Sequence, residues 1–448
     1  MALTLALVCG FAACSSPPTK PPLPTEVVRT ATMNITPGIE VLARVALPDG
    51  FAPSPDYPPM WLQSGQEVAI IGTRNGQAMV MGYGGSGYRS ARVIAEDGGI
   101  GASDARMVDF AADPDGMVLA LAEVSTEAKR LDVVTRDVIS AGAASPVSSF
   151  DGEFDSASLA WLGDFTIPLA LRSHADALME APRDQLGLVR GQAAPAPGAS
   201  SGLYTITVSG AVTTGYLKLN CKMSHLSWAP NGMVAVGAGD AYAPATIIDR
   251  TKETCDRVNA KPPIRVLDWS HDSKAFLYQQ LNGPQVTGTY RYDVSSRTER
   301  LVALASGAAA FVGNDQVLAL GSRDLTTRGV LEKPAGETRA EVAISNPDGS
   351  DTELQELGFA TTPAMLAQST MTYARPTDTA AIATFSPTPQ GPVRKIVIYS
   401  VAPKHAFLIA FGPARGALSM SWSPRGRYLA IADGDVTASA LTILMPPH

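Results

Sequence analysis

The chain has 448 residues, enough for one large repeat domain or two or three ordinary ones. Charged residues make up 17% and the formal net charge is −7, which excludes the broad basic surface on which nucleic-acid binding rests. The content of Gly (40) and Pro (34) indicates a chain built from many turns, and no stretch after the first dozen residues approaches the ~20 apolar residues of a spanning helix.

At the N-terminus, Leu3–Val8 is apolar, and Phe11-Ala12-Ala13-Cys14 follows. These four residues resemble a bacterial lipobox, small residues ahead of a Cys. The resemblance implies a signal peptide over 1–13, cleavage before Cys14, and diacylglycerol on the Cys14 sulfur. The implied address is extracytoplasmic, anchored to a bacterial outer membrane or cell surface. Without the resemblance, the same residues are an apolar N-terminus with a Cys. Residues 14–38 read as a tether rich in proline (Pro17, Pro18, Pro21, Pro22, Pro24). At the ~3.1 Å rise of polyproline II it reaches up to ~70 Å.

From residue 39 to 448 the chain repeats. Trp61, Trp161, Trp228, Trp269 and Trp422 each end a short apolar run that leads into a turn and a second apolar run. Phe110, Phe311 and Tyr373 hold the same place, so the aromatic positions are spaced by 49, 51, 67, 41, 42, 62 and 49 residues. Such spacing suits propeller blades of four strands, the longer intervals carrying insertions. Within a unit, LDW, KAFLYQQ, TYRYDVS and TERLVAL are four strand-like runs separated by turn compositions. The segments SWAPNG (227–232), SNPDGS (345–350) and SWSPRG (421–426) resemble the WD40-like repeats of TolB-type propellers. His271 replaces the turn proline in the fifth unit, and the third unit lacks the Pro-x-Gly turn. The resemblance implies an all-β fold and little about activity. Eight units predict a single propeller of eight four-stranded antiparallel blades; seven is the alternative if unit three or seven is misread.

The last unit has only three strands, so the ring needs a fourth from elsewhere. The run 39–47, pairing with 439–444, is expected to supply it and to remove the exposed sheet edges. Cys221 and Cys255 flank the fourth unit and make a natural disulfide in an oxidising compartment; two separate buried thiols are the other reading. The bridge would need a slipped strand or a long turn, because its ends belong to opposite sides of an ideal blade.

Chemistry is sparse. None of the five histidines lies in a zinc-spaced motif. His174 and Asp176 are metal-ligand types on an insertion, a pattern commoner in solvated loops. Gly82–Tyr88 and Asp113–Gly116 read as hairpin turns, since neither has the setting of a phosphate cradle or an EF-hand. No cofactor and no metal is expected. The insertions fall between second and third strands, at 174–202, 323–339 and 386–392, and all emerge on one face. They carry Arg183, Arg190, Arg323, Arg328 and Arg339 among acidic residues, a mixture suited to a protein partner. The expectation is a non-catalytic, lipid-anchored propeller that binds protein partners in the cell envelope. An enzyme, or a binder of small molecules or glycans acting through the central channel, is the alternative.

Overall fold

The computed structural model describes residues 34–35, 38–98, 104–139, 144–162, 166–174, 201–208, 212–214, 226–237, 245–259, 263–282, 285–304, 307–313, 316–322, 338–346, 353–402, 404–413 and 416–447. Their strands form eight antiparallel sheets that follow one another along the chain. Blades 1 to 8 occupy 51–96, 106–151, 154–214, 226–257, 264–304, 309–361, 370–413 and 417–445. The eight-unit reading of the aromatic spacing is the blade count.

Second strands explain why a sheet-rich sequence here lacks simple alternation. Glu67–Arg74, Thr166–Ser173 and Thr379–Ser386 are buried along nearly their whole length. Each is covered on both faces by neighbouring blades, which demands continuous apolar runs. Many of these positions are alanine: Ala120, Ala122, Ala381, Ala383, Ala430 and Ala432 are all buried. Small side chains let blades approach where the wedge narrows.

The core is correspondingly divided into one apolar cluster per interface. Blades 8 and 1 share a cluster through Val45, Phe51, Met81 and Leu441. Clusters then follow for 1–2, 2–3, 3–4, 4–5, 5–6, 6–7 and 7–8. Among the described residues the 3–4 cluster is the smallest, with only Ala170, Leu203, Ile248 and Cys255 fully buried.

Closure is made by the N-terminal strand Glu40–Ala46. It pairs antiparallel with Ala438–Met445, Glu40 opposite Met445 and Ala46 opposite Ala440. The last blade thus takes three strands from the end of the chain and its outermost from the beginning. Just before it, Asn34–Ile35 adds to the outer edge of blade 7.

The repeat turns carry the expected chemistry. Asp113-Pro114-Asp115-Gly116, Ala229–Gly232, Ser270–Ser273 and Ser423–Gly426 each close with a bond from the last N–H to the first carbonyl, at 2.7–3.0 Å. The last residue has positive φ each time, 66° at Gly116 and 68° at Gly426. A side chain at Gly116 would meet the Leu62 backbone at 2.6 Å, so glycine also lets blade 2 touch blade 1 there. Asp113 Oδ1 accepts from the N–H groups of Met117 and Val118, which accounts for this aspartate as a turn residue.

The aromatic position links the ring. Trp61 donates its indole N–H to the Ser421 carbonyl (3.2 Å), Trp269 to Ser227 (3.3 Å to O, 3.1 Å to Oγ) and Trp422 to the Thr372 carbonyl (3.2 Å). Each acceptor directly precedes the aromatic residue of the preceding blade. Trp161 departs from the pattern: its strand ends at Leu159, and Leu162 makes only an isolated bridge to Thr166. The indole nitrogen of Trp228, the next in the ring, is buried with no hydrogen-bond partner among the described residues.

This contrast gives a test by urea unfolding. Trp269→Phe and Trp422→Phe should each lose about 1 kcal/mol, the usual net worth of a hydrogen bond. Trp228→Phe should be neutral or stabilising, because its N–H has nothing to lose. Equal losses at all three positions would show that ring size, not the indole bond, is what the position requires.

Candidate functional site

First strands of neighbouring blades abut around the axis, blade 5 against 6, 6 against 7, 7 against 8, and 2 against 3. They enclose a central cavity of 830 Å³, lined from blades 1 to 5 by groups that include Tyr57, Asp109, Asp155, Ser156, Ser227 and Arg265. Two smaller spaces, of 240 and 230 Å³, lie toward blades 5 to 8.

The cavity is crossed from the blade 1 side. The innermost strand of that blade is split into Phe51–Pro53 and Met60–Leu62, both paired with Glu67–Arg74. Between them runs Ser54-Pro55-Asp56-Tyr57-Pro58-Pro59, whose prolines cannot continue a ladder. Pro55 and Pro58 line the space against blades 7 and 8, whereas Tyr57 reaches blade 2. Its hydroxyl donates to Asp109 Oδ1 at 2.8 Å, and its ring lies 4.2 Å from that of Phe110.

Asp109 is buried, and its other oxygen accepts the Leu159 N–H of blade 3 at 2.6 Å. Burial pushes its carboxyl up, and its hydrogen bonds oppose the shift. Burial also raises the Tyr57 hydroxyl, with the Asp109 charge adding to it, so the phenol stays a donor. Blade 5 repeats the device. Asp268 Oδ2 accepts the Phe311 N–H of blade 6 at 2.8 Å, and Oδ1 accepts the Trp269 N–H at 2.9 Å. Its carboxyl is pushed up to about 6 by burial. Asp109 and Asp268 both directly precede the repeat aromatic residue, a signal visible as VDF and LDW. Arg265 is likewise engaged, with Gln279 and with the Ala367 carbonyl (2.9 Å) of the short helix Pro363–Ala367.

At the rim, His174 lies beside the cavity-lining Asp155, Nδ1 to Oδ1 at 2.6 Å, both more than a third exposed. The structure therefore gives His174 a partner from the first strand of its own blade. Asp176, Arg183, Arg190, Arg323 and Arg328 lie outside the described residues, as does Cys14. Arg339 is exposed and paired with Glu356 at 2.9 and 3.2 Å. Cys255 is disulfide-bonded and buried at the 3–4 interface; its expected partner, Cys221, lies outside the described residues. Among the described residues no group of three or more His, Cys, Asp or Glu converges as a metal site.

A second concavity, of 490 Å³, opens where blades 7, 8 and 1 meet, lined by Arg44, Leu47, Phe411, Asp433 and the exposed Val436. Asp433 sits 4.0 Å from Arg44, and burial pushes its carboxyl up to about 6 against the pull of Arg44 and Arg394. The Arg44 guanidinium lies 5.0 Å over the Phe411 ring. The concavity is on the face of the second-to-third-strand loops.

No family model matches the chain, and no curated protein is similar in sequence. Among solved structures it is similar to the Dos1 propeller (9% identity, 89% of this chain and 94% of that one, TM-score 0.48). It is also similar to a prolyl endopeptidase (12%, 88% and 55%, 0.47), about half of whose length it spans. TolB from Acinetobacter baumannii is similar at 13% identity over 78% of this chain and 65% of that one, with a TM-score of 0.34.

The raised carboxyls set a pH dependence. A folded-state value near 6 against an unfolded value of 3.8 means that the fold takes up the proton first. The penalty of each buried carboxylate is full above pH 6 and is relieved as pH falls through 6 toward 3.8. Asp268→Asn and Asp433→Asn should each remove this component: between pH ~7 and ~5 the wild-type urea midpoint should rise relative to either variant. Parallel midpoints across that range would mean that neither carboxyl titrates there.

Proposed function

We propose that this chain is a lipid-anchored, extracytoplasmic propeller that binds a protein partner through the face of its second-to-third-strand loops. The observation that supports this most is how the channel's polar groups are used. Asp109, Asp268, Arg265 and Tyr57 are each held in bonds between blades or across the cavity. A segment with three prolines lies through the centre. A catalytic carboxylate needs a free proton site facing substrate, and these carboxylates are occupied by backbone N–H groups.

The opposite is true of the loop face. There the chain runs from Ser173 to Gly202 and from Ser322 to Thr338 between strands that a turn of 2–5 residues would join. The 490 Å³ concavity on this face mixes arginine, aspartate and exposed valine, which suits a protein surface. The anchor is Cys14, and the Pro-rich tether sets the standoff from the membrane as far as Asn34, where the chain joins the outer edge of blade 7.

A second reading rests on the Asp155–His174 pair, more than a third exposed, with Asp155 in the wall of the 830 Å³ cavity. That arrangement would suit a small polar ligand entering from the loop face.

Crosslinking and capture from native membranes separates the two readings. A folded variant lacking residues 175–200 should lose the partner, whereas Asp155→Asn should retain it, and Cys14→Ser should release the protein from the membrane. Capture that is indifferent to the deletion would overturn the loop-face reading, and Cys14→Ser remaining in the membrane fraction would overturn the anchor.

A further inference from the structure

The turns that join first to second and third to fourth strands emerge on the face opposite the second-to-third-strand loops. On blades 7, 8 and 1 these turns are 375–378, 401–404, 423–428, 63–66 and 85–89, and their basic side chains outnumber their acids in a chain whose net charge is −7. The acid in them is Asp378, whose Oδ1 accepts from the Tyr373 hydroxyl. Of the bases, Lys404 pairs with Glu353 and Arg375 meets His271. Arg89, Arg425 and Arg427 are exposed, and among the described residues none of them has a hydrogen bond or an ion pair. Glu40, which begins the closing strand, and Asp115, whose carbonyl accepts the Ser64 N–H at 3.2 Å, border the patch without pairing with any of the three.

An aromatic row fixes where these arginines stand. The turn of blade 8 lies against that of blade 1, since a side chain at Gly65 would meet Pro424 at 3.9 Å. The Arg427 guanidinium lies 5.7 Å over the Tyr428 ring, Tyr428 stacks on Trp61 at 6.3 Å, and Trp61 packs T-shaped on Tyr88 at 5.9 Å. The Tyr88 hydroxyl donates to the Gly65 carbonyl at 2.9 Å, and Arg89 follows it in the chain. The row therefore crosses the seam of the ring with an arginine at each end. Its blade 1 end is held in backbone that side chains rarely adopt, with φ of 50° at Gln63, 54° at Ser64 and 55° at Tyr88. Such strain persists where packing over-determines the geometry, commonly at binding sites.

We propose that this patch is a second docking surface, on the face opposite the loops, and that it takes an acidic segment of a protein. Exposed arginine beside half-buried tyrosine and tryptophan is the composition of protein-interface hot spots. The free bases in these turns are all arginine, whose fork of N–H donors matches a carboxylate in two parallel bonds. Arg427 is already laid on a ring, so it loses less side-chain freedom when a carboxylate arrives. A bilayer is a poorer match, because none of the exposed large apolar side chains among the described residues lies in these turns. The inference rests neither on the Cys14 anchor nor on the loop face.

Fluorescence anisotropy of a labelled octaglutamate peptide against the full chain tests it. The wild type should bind the peptide, and binding should weaken as salt is raised. Arg89→Glu, Arg425→Glu and Arg427→Glu together should weaken it at least about tenfold, with the urea midpoint kept. Should the triple reversal disturb the fold, Arg89→Gln with Arg425→Gln, which leaves the Arg427–Tyr428 contact in place, should also weaken binding. Arg257→Glu with Arg300→Glu, exposed on the outer strands of blades 4 and 5, should leave it unchanged. A peptide that fails to bind, that binds the triple variant as tightly as the wild type, or that is lost equally with the Arg257 and Arg300 pair, would overturn the proposal. So would phosphatidylglycerol vesicles that capture the chain through these arginines while the peptide does not bind, which would assign the patch to a membrane.

Discussion

A ring of eight wedges stands only if the last wedge meets the first, and every other feature of this molecule is arranged around that requirement. Each blade is too thin to have a core of its own. Its apolar residues are buried only by the blades on either side, which is why the core is a cycle of separate clusters. The strand Glu40–Ala46 completes the cycle by joining residues some four hundred positions apart, as Val45 opposite Leu441 illustrates. Loss of that pairing would open two interfaces at once, because Ala43 and Val45 belong to the cluster that also holds Phe51 and Tyr83 of blade 1, while Val41 packs against the cluster between blades 7 and 8.

The same requirement explains the polar chemistry near the axis. First strands have an unpaired edge toward the channel, and their N–H groups need acceptors in a narrow space. Asp109 and Asp268 supply acceptors to the next blade, and indole N–H groups use carbonyls of the preceding one. Enclosing a carboxyl in this way raises its pKa by desolvation, so raised values here are a cost of ring assembly as much as a mark of chemistry. Cys255, disulfide-bonded, belongs to the cluster between blades 3 and 4.

Much of the fold was legible because each blade solves the same packing problem. Trp228, Trp269 and Trp422 recur at one position since each closes the same turn against the same neighbour, and Phe311 and Tyr373 could be added by frame alone. The closing strand was legible as a missing fourth strand. Contacts that occur once were not. Tyr57 and Asp109 lie 52 residues apart and His174 and Asp155 lie 19 apart, and nothing periodic ties either pair together. The crossing segment Ser54–Pro59 reads as an ordinary Pro-rich loop until the ring places it at the centre. Asp109 and Asp268 left a fainter signal, an aspartate directly before the repeat aromatic residue in two blades.

The central claim is that the N-terminal strand holds the ring shut. Native-state hydrogen exchange of the Ala43–Ala46 amides measures this most directly. If the account is right, those amides open with the same free energy as the Leu429–Asp435 strand of the last blade, since both would exchange only when the ring unfolds. If they exchange through a much cheaper local opening while Leu429–Asp435 stays protected, the strand is an ornament on a ring that closes by other means, and the account is wrong.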